Sequence, residues 1–335
     1  MIRFAWIRFR TQAAIGAGML TIAAIALLVT GIQLAHAYDD AAAVCKQQGD
    51  CARLFNVFLT QGYFTAGKLL GAVGLAVPGL IGMFWGAPLV AREFETGTFR
   101  LAWTQGVTRT RWLAAKFAIA GVAAIAAGEL FTLMVNWWSN PIHKASAGYT
   151  AFTSGSFHSG VAPAGYAAFA FALGVTAGLL IRRTLPAMAV TLAIFAAVII
   201  TFPIWVRPHL IPPARTTSAL SLASVAVTGS TPDGHLILTT DTATGLPGAW
   251  VISSQVTAPD GRAASTEPAG PCGASSTRAC NNYIESLHLR QTVTYEPASR
   301  YWAFQWVETA IYLALALALA GLCLWWIRPP LLRGT

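Results

Sequence analysis

Long apolar runs, separated by short polar segments, occupy the first 206 residues of the chain and return near its end. A helix needs about 20 mostly apolar residues to cross the hydrocarbon core of a bilayer. Five runs reach or approach this length, and a sixth is shorter but wholly apolar. The six predicted spans cover residues 13–35, 69–91, 117–138, 164–181, 185–206 and 304–327. The pattern therefore predicts an all-α integral membrane protein with a six-helix transmembrane bundle.

The composition supports this interpretation. Hydrophobic residues make up 55% of the 335 residues, charged residues make up only 10%, and the mean hydropathy is +0.56. A soluble domain contains about 25% charged residues, and a disordered chain needs low hydrophobicity. The composition therefore excludes a soluble domain and a disordered chain.

The basic residues are distributed unevenly around the predicted spans. Of the 22 lysines and arginines, 12 fall on the side that holds both termini, the loop 92–116 and the link between spans 4 and 5, whereas only two of the 13 acids fall there. Cytoplasmic loops carry an excess of lysine and arginine, so we expect both termini and this loop to be cytoplasmic. The net charge of +9 is thus a topology signal, and we expect no nucleic-acid partner.

The positions of the spans divide the chain into four regions. Residues 1–12 alternate apolar residues with arginines, which favours either a cytoplasmic interfacial helix on membrane lipid or a plain basic flank. Residues 13–206 hold spans 1–5 and the loop 92–116, and residues 303–335 hold span 6 and a short cytoplasmic tail. Residues 207–302 are rich in Thr, Ser, Pro and Gly and contain alternating runs typical of strands. They predict a small mixed extracellular domain between spans 5 and 6.

Span 1 has a second interpretation. Its basic flank, its apolar run and the segment Ala35-His36-Ala37 imitate a secretory signal peptide with its cleavage site. The apolar run is longer than 20 residues, however, and a signal peptide has an apolar core of about 7–15 residues. We therefore expect span 1 to be retained.

Four of the five cysteines lie in the predicted extracellular segments. Cys45 and Cys51 belong to the first of these segments, Cys272 and Cys280 to the last, and Cys323 lies within span 6. Disulfides form outside the cytoplasm, and the short separations favour the pairs Cys45–Cys51 and Cys272–Cys280. Other pairings and four free thiols stay open from the sequence. No histidine stands at a spacing that predicts a metal site.

Small residues recur at helix-packing spacing in two spans. Gly82 and Gly86 lie four residues apart in span 2, and Gly174 and Gly178 lie four residues apart in span 4. Small residues at this spacing allow two helices to approach closely within a membrane. We therefore expect spans 2 and 4 to use these faces for packing.

Two acidic residues lie within the predicted spans, Glu129 in span 3 and Glu308 in span 6. A carboxylate is costly in hydrocarbon, so by default it faces the bundle interior or a water-filled path. Both residues are candidates for a translocation path. An interhelical hydrogen bond is the alternative for each, and Glu308 could also reach the outer interface.

The sequence contains no catalytic motif that fits its context. Residues 62–69 match the start of a phosphate-binding loop, but Leu69 stands where a serine or threonine must bind Mg²⁺. No H-E-x-x-H and no G-x-S-x-G sequence occurs. We therefore expect a chain that is not an enzyme, hydrolyses no ATP itself and binds no metal or cofactor.

The cytoplasmic segment 88–116 is more amphiphilic than a plain connector. It sets apolar residues such as Phe94 and Trp103 among charged ones, which indicates a surface that docks another protein. Within it, Thr96-Gly97-Thr98 predicts a helix end, and residues 99–103 predict a short helical stretch.

This segment also carries a family resemblance. The run FWGAPLVAREFETGT at residues 84–98, the run LAWTQ at 101–105 and the run RTRW at 109–112 resemble the ABC-2 type transporter permease family, most closely its actinobacterial-type members. Residues 295–308 resemble the entry of the same family into its last span. The six-span layout with a large last outside loop also matches.

The resemblance implies a permease subunit of an ABC exporter in the bacterial plasma membrane. Such permeases work as pairs, here expected as a homodimer, with two copies of a cytoplasmic ABC ATP-binding subunit that binds ATP and Mg²⁺. The loop between spans 2 and 3 forms a coupling helix that docks on the ATP-binding subunit. The resemblance implies a coupling role for the following residues: Glu93, Glu95, Thr96, Gly97, Thr98, Arg100, Arg109 and Arg111.

The two acids of this loop have two interpretations. Glu93 and Glu95 are the only acids on a face with 12 basic residues, which favours ion pairs with an arginine of the ATP-binding subunit. Pairing with Arg92 or Arg100 inside the loop is the alternative.

The expected function is export of a hydrophobic or amphipathic substrate, and two other classes stay open. A secondary transporter needs internal repeats with broken helices in paired positions, and no repeat is evident in the sequence. A membrane-anchored extracellular sensor or binding protein would act through residues 207–302 and would need no cytoplasmic docking loop.

Overall fold

The computed structural model describes most of this mostly helical chain. The described residues are 2–49, 51–98, 108–145, 152, 160–220, 225–230, 235–240, 246, 248–260, 262, 264, 266–268 and 277–327. The chain forms two compact units. The first comprises Met1–Ala147, Ser154–Trp205 and Trp302–Thr335, and the second comprises Gly148–Thr153 and Val206–Tyr301.

The helices follow the apolar pattern of the sequence. The α-helices are α1 (Ile2–Gln48), α2 (Cys51–Phe58), α3 (Phe64–Ile81), α4 (Ala87–Glu95), α5 (Arg109–Ala145), α6 (Ala162–Ile181), α7 (Thr184–Thr201), α8 (Thr277–Ser286) and α9 (Tyr301–Trp326). Short π-helical turns are Leu59–Tyr63, Gly82–Gly86 and Phe202–Val206, and short 3₁₀ turns are Arg207–His209 and Ala298–Arg300. The turn Gly82–Gly86 joins α3 to α4 without breaking the helical rod.

Six helical segments in the described part of the chain are long and apolar enough to cross a membrane. They are named spans 1 to 6 below and cover Arg10–Gln47, Phe64–Glu95, Arg109–Ala145, Ala162–Ile181, Thr184–His209 and Ala298–Trp326. Their number and order match the prediction. The helices are longer than the predicted spans, because residues such as Ala41, Ala42 and Ala43 continue α1 beyond the apolar run.

Residues 1–12 do not form a separate element. Helix α1 begins at Ile2 and runs without interruption to Gln48. The expected interfacial helix is therefore the first part of the span 1 helix in this structure. The polar residues after the apolar run, which were expected in an extracellular loop, extend the same helix.

Span 4 is the centre of the first unit. Nearly every residue of α6 is buried, and the helices of spans 2, 3 and 5 pack around it. Its sequence is mainly alanine and glycine with a few aromatic residues, so its surface lets neighbouring helices come close on all sides. The core of this unit combines Phe171 and Val175 of span 4 with Leu113 and Ala124 of span 3.

The two glycine pairs pack against each other, a pairing of spans that the sequence left open. A Cβ atom on Gly82 would meet the carbonyl oxygen of Ala170, and one on Gly174 would meet the carbonyl oxygen of Gly82. A Cβ atom on Gly178 would lie about 2.5 Å from the carbonyl oxygen of Ala87. Spans 2 and 4 are therefore in backbone contact, which only glycine allows at these positions.

The described part of the second unit contains two three-stranded antiparallel sheets and the α-helix α8. The strands are β1 (Ala214–Ala219), β2 (Val225–Ser230), β3 (His235–Thr240), β4 (Trp250–Thr257), β5 (Thr266–Pro268) and β6 (Arg290–Glu296). One sheet has the order β1-β6-β4 and the other has the order β2-β3-β5. The alternating runs 250–257 and 291–295 lie in strands β4 and β6, and the extracellular position of this region stays a prediction. Val256, Ile284 and Leu289 belong to its core.

A disulfide joins the end of span 1 to α2. The structure pairs Cys45 with Cys51, as the spacing predicts. Cys280 lies in α8, but its side chain and all of Cys272 fall outside the described residues, so that pair stays a prediction. Cys323 is a buried free cysteine in span 6.

Replacing Cys45 with serine should lower the free energy of unfolding by about 2 kcal/mol, because a short disulfide loop restricts the unfolded chain. The measurement is the melting temperature of the purified protein under non-reducing conditions. Wild-type protein in reductant is the control and should show at least the same drop, because reductant would also open the predicted Cys272–Cys280 bond. An unchanged melting temperature in a variant of verified mass would contradict the prediction.

Candidate functional site

Span 2 ends in a well-defined helix C-terminus. Helix α4 ends at Glu95, and Gly97 follows with a left-handed backbone at φ 70°. The backbone N–H of Thr96 donates to the carbonyl oxygen of Arg92 at 3.1 Å, and its hydroxyl donates to the same oxygen at 2.9 Å. The hydroxyls of Thr96 and Thr98 lie 3.1 Å apart. The Thr-Gly-Thr segment therefore closes the helix, as the sequence predicts.

Glu93 forms an ion pair with a residue of span 3. Its carboxylate lies 2.7 Å from the ammonium of Lys116, whose side chain is only 5% exposed. The same ammonium donates to the carbonyl oxygen of Leu89 at 3.0 Å and lies 4.3 Å from the centre of the Trp112 ring. A buried lysine needs this set of partners, because an unpaired ammonium would be costly there. The ion pair therefore joins the end of span 2 to the start of span 3.

Glu95 accepts two hydrogen bonds from a residue of span 5. The backbone N–H of Thr184 donates to one carboxylate oxygen at 2.7 Å, and the Thr184 hydroxyl donates to the other at 2.6 Å. Thr184 is the first residue of α7, where backbone N–H groups lack partners within the helix. A carboxylate at this position also interacts favourably with the helix dipole. The last residue of span 2 therefore caps the first residue of span 5.

Phe94 contacts the link between spans 4 and 5. The guanidinium of Arg182 lies 5.7 Å from the centre of the Phe94 ring. Arg182 has a left-handed backbone at φ 58° and ends α6, where its N–H donates to the carbonyl oxygen of Gly178 at 3.1 Å. Phe94, Glu95 and their partners thus place the end of span 2 against the turn between spans 4 and 5.

The structure places only part of the predicted coupling set at this junction. Glu93, Glu95 and residues 96–98 lie together at the end of span 2. Arg109 and Arg111 lie in the first turn of α5, on the other side of the segment 99–107. Arg100 and the predicted helical stretch 99–103 fall outside the described residues.

The alternative of ion pairs within the loop is tested only in part, because Arg100 falls outside the described residues and pairing with it stays a prediction. Glu93 pairs with Lys116, and Glu95 accepts from Thr184. In the described part of the chain neither carboxylate forms a salt bridge with Arg92. Contact of these acids with an ATP-binding subunit stays a prediction.

Two partner residues at this junction, Lys116 and Thr184, have no distinctive signal in the sequence. Lys116 directly precedes predicted span 3 and is one of the 12 basic residues on one face, where a lysine is expected to reach the membrane interface. Thr184 follows Arg182-Arg183 and begins an apolar helix, which is a typical helix start. Nothing in the sequence indicates that its cap comes from 89 residues earlier.

Glu308 lies in a polar contact between spans 4 and 6. Its side chain is fully buried, and the hydroxyl of Tyr166 donates to it at 2.5 Å. Three residues earlier, the Gln305 side chain accepts from the backbone N–H of Ala162 at 2.9 Å and so caps α6. These contacts are the interhelical hydrogen bonds expected as the alternative for Glu308.

Glu129 lies in the middle of span 3 and is half-buried. Its Oε2 atom is fully buried and forms no hydrogen bond within the described structure. This geometry distinguishes it from Glu308, whose carboxylate has an interhelical partner. A role of either residue in a translocation path stays a prediction.

The described residues contain no group of three or more His, Cys, Asp and Glu side chains that could hold a metal ion. The polar contacts at the end of span 2 are ion pairs, hydrogen bonds and helix caps between helices. Their chemistry is suited to transmitting a displacement from one helix to another.

Comparison with known proteins gives one match. A family model described as "ABC-2 membrane transporter related" matches residues 17–207, which is more than half of the chain. The match includes spans 1 to 5 and the junction described above. No curated protein and no solved structure matches the chain.

Proposed function

This chain belongs to the ABC-2 membrane transporter related family, and from that premise we propose that it is the permease subunit of an ABC exporter. Membrane permease is the general role of the family. The exported substrate is hydrophobic or amphipathic, and the energy comes from ATP hydrolysis by a separate subunit. The chain acts in the bacterial plasma membrane as one half of a homodimer.

The proposal is supported chiefly by two contacts that join the end of span 2 to spans 3 and 5. Glu93 is joined to Lys116 of span 3, and Glu95 is joined to Thr184 of span 5. A displacement of residues 93–98 therefore acts on the ends of three spans at once. A plain cytoplasmic connector would need none of these contacts.

The proposed partners are two copies of a cytoplasmic ABC ATP-binding subunit. They bind ATP and Mg²⁺, and their closure moves the segment after span 2 in each permease chain. Because Glu95 caps α7, this movement reaches span 5 at its first turn. A ligand drives such a change only by the difference in its binding free energy between two states. Here the difference is supplied by ATP at the partner subunit, and we propose that residues 207–302 form an extracellular domain.

Co-purification with the ATP-binding subunit tests the proposal. Affinity-tagged permease should retain that subunit in stoichiometric amount, and the reconstituted pair should hydrolyse ATP. The permease alone, in the same vesicles, is the control. A pair that does not associate and shows no ATP turnover above this control would exclude the exporter.

Replacing Glu95 with alanine should uncouple span 5 from ATP binding. A cysteine at exposed Leu185 of span 5 serves as the reporter, and its labelling rate by a maleimide is measured with and without ATP. The ATP-dependent change in rate should fall about tenfold, a typical size for coupling between sites, while ATP hydrolysis continues. This follows because the carboxylate is the direct link to Thr184.

The matched test is a double-mutant cycle. Thr184→Ala should cause a similar loss, and the double variant should lose no more than either single variant, because both remove the same contact. Glu285→Ala, which changes an exposed acid of the second unit, is the control. Additive losses would show that Glu95 and Thr184 act separately.

A further inference from the structure

An apolar cavity of about 620 Å³ lies between spans 1, 2 and 3. Its lining includes Met19 of span 1 and Leu80, Phe84 and Trp85 of span 2. Met19 and Phe84 are more than half exposed in the single chain. The cavity therefore opens on the surface that faces lipid, and its walls offer only apolar contacts apart from the amide of Gln12.

A second cavity of about 520 Å³ adjoins it at the end of span 2 that carries Arg92. Gln12 and Ile15 line both cavities. The Gln12 amide donates to the carbonyl oxygen of Phe84 at 3.5 Å and marks the boundary between them. Both volumes fall within the range of about 300–1,000 Å³ that is usual for small-molecule sites.

The lining of the second cavity combines polar and charged side chains with the apolar residues Ile15, Pro88 and Leu89, and it carries excess positive charge. Lys116 is neutralised by Glu93 at 2.7 Å. Arg92 also lines the cavity, is exposed, and forms no salt bridge among the residues that the structure describes. Thr11, Thr96 and Thr98 line the same space, and the hydroxyls of Thr96 and Thr98 already bond to each other and to the carbonyl oxygen of Arg92.

We propose that the two cavities form one site for an anionic phospholipid of the cytoplasmic leaflet. An acyl chain fills the apolar cavity, and the phosphate lies in the second cavity beside Arg92. The ligand has to be amphipathic, because one compartment excludes charge and the other attracts an anion. It enters from the leaflet, because the apolar cavity opens sideways. The site goes beyond the proposed export function and does not depend on it.

Native mass spectrometry of the purified full chain tests the proposal. The protein is titrated with phosphatidylglycerol and, in parallel, with phosphatidylcholine of the same acyl chains. Phosphatidylglycerol should bind more tightly. Arg92→Gln should weaken phosphatidylglycerol binding about fivefold, as expected for one arginine near an anionic headgroup. Arg183→Gln, at an exposed cytoplasmic arginine outside the cavity, is the matched control and should change nothing.

A bulky substitution in the apolar cavity tests whether an acyl chain binds there. Ala23 lines that cavity and Ala26 of the same helix does not, so Ala23→Phe should reduce binding of both lipids and Ala26→Phe should not. Inorganic phosphate should not compete with phosphatidylglycerol, because it lacks the acyl chain. Equal affinity for both lipids, or equal loss in the Arg92 and Arg183 variants, would overturn the proposal. So would conversion of dimer to monomer by Ala23→Phe with lipid binding unchanged, because the groove would then be an interface between two copies.

Discussion

Leucine in place of Gly174 is expected to destabilise the first unit by about 3 kcal/mol or more, at the upper end of the usual cost of overpacking. A Cβ atom at this position would meet the carbonyl oxygen of Gly82 and would lie 2.8 Å from the backbone nitrogen of Ala87. Both obstacles are backbone atoms of span 2, so no side-chain rotation relieves the clash. Spans 2 and 4 must separate, and span 4 is the centre of the unit.

The expected result is a large loss of monodisperse protein in gel filtration and a melting temperature many degrees lower. Gly74 offers a matched control within span 2, because a Cβ atom there meets nothing within 4 Å. Gly74→Leu should therefore behave as wild type. If the two variants melt at the same temperature, the close approach of spans 2 and 4 is not what holds this unit together.

The use of these glycine faces for packing could be predicted from the sequence because the signal is local. Four glycines at four-residue spacing lie in two apolar runs, and small residues at this spacing have one main use in a membrane helix. The six spans were predictable for the same reason. The ends of the helices could not be predicted in this way. The run of apolar residues ends at the first polar residues, whereas helix α1 continues to Gln48.

The contacts of the candidate site are harder to predict. The acids at the end of span 2 were recognisable as unusual on a basic face, but their partners depend on the tertiary structure. Glu95 reaches Thr184 only because α6 returns the chain to the same end of the bundle. An acid on this basic face has many basic residues within reach in the sequence, and the geometry selects Lys116 of span 3 for Glu93.

The second large effect is expected at this ion pair. Lys116→Met should lower the free energy of unfolding by about 3–5 kcal/mol, because removal of one partner leaves a charge without its counter-charge in a mostly buried site. Glu93 is only 14% exposed, and Lys116 is 5% exposed. The variant should melt well below wild type. Arg183→Met changes an exposed cation on the same predicted face and should alter the melting temperature little.

Replacement of both partners separates stability from coupling. In Glu93→Leu/Lys116→Met the buried charges are gone, and apolar side chains of similar size pack in their place, so the melting temperature should recover towards wild type. Movement of span 3 with the end of span 2 should not recover, because the ion pair that joins them is absent. The measurement is the ATP-dependent change in labelling of a reporter cysteine at exposed Val122 of span 3, in complex with the ATP-binding subunit. A double variant that is stable and shows the full wild-type change would assign Glu93 and Lys116 to folding alone.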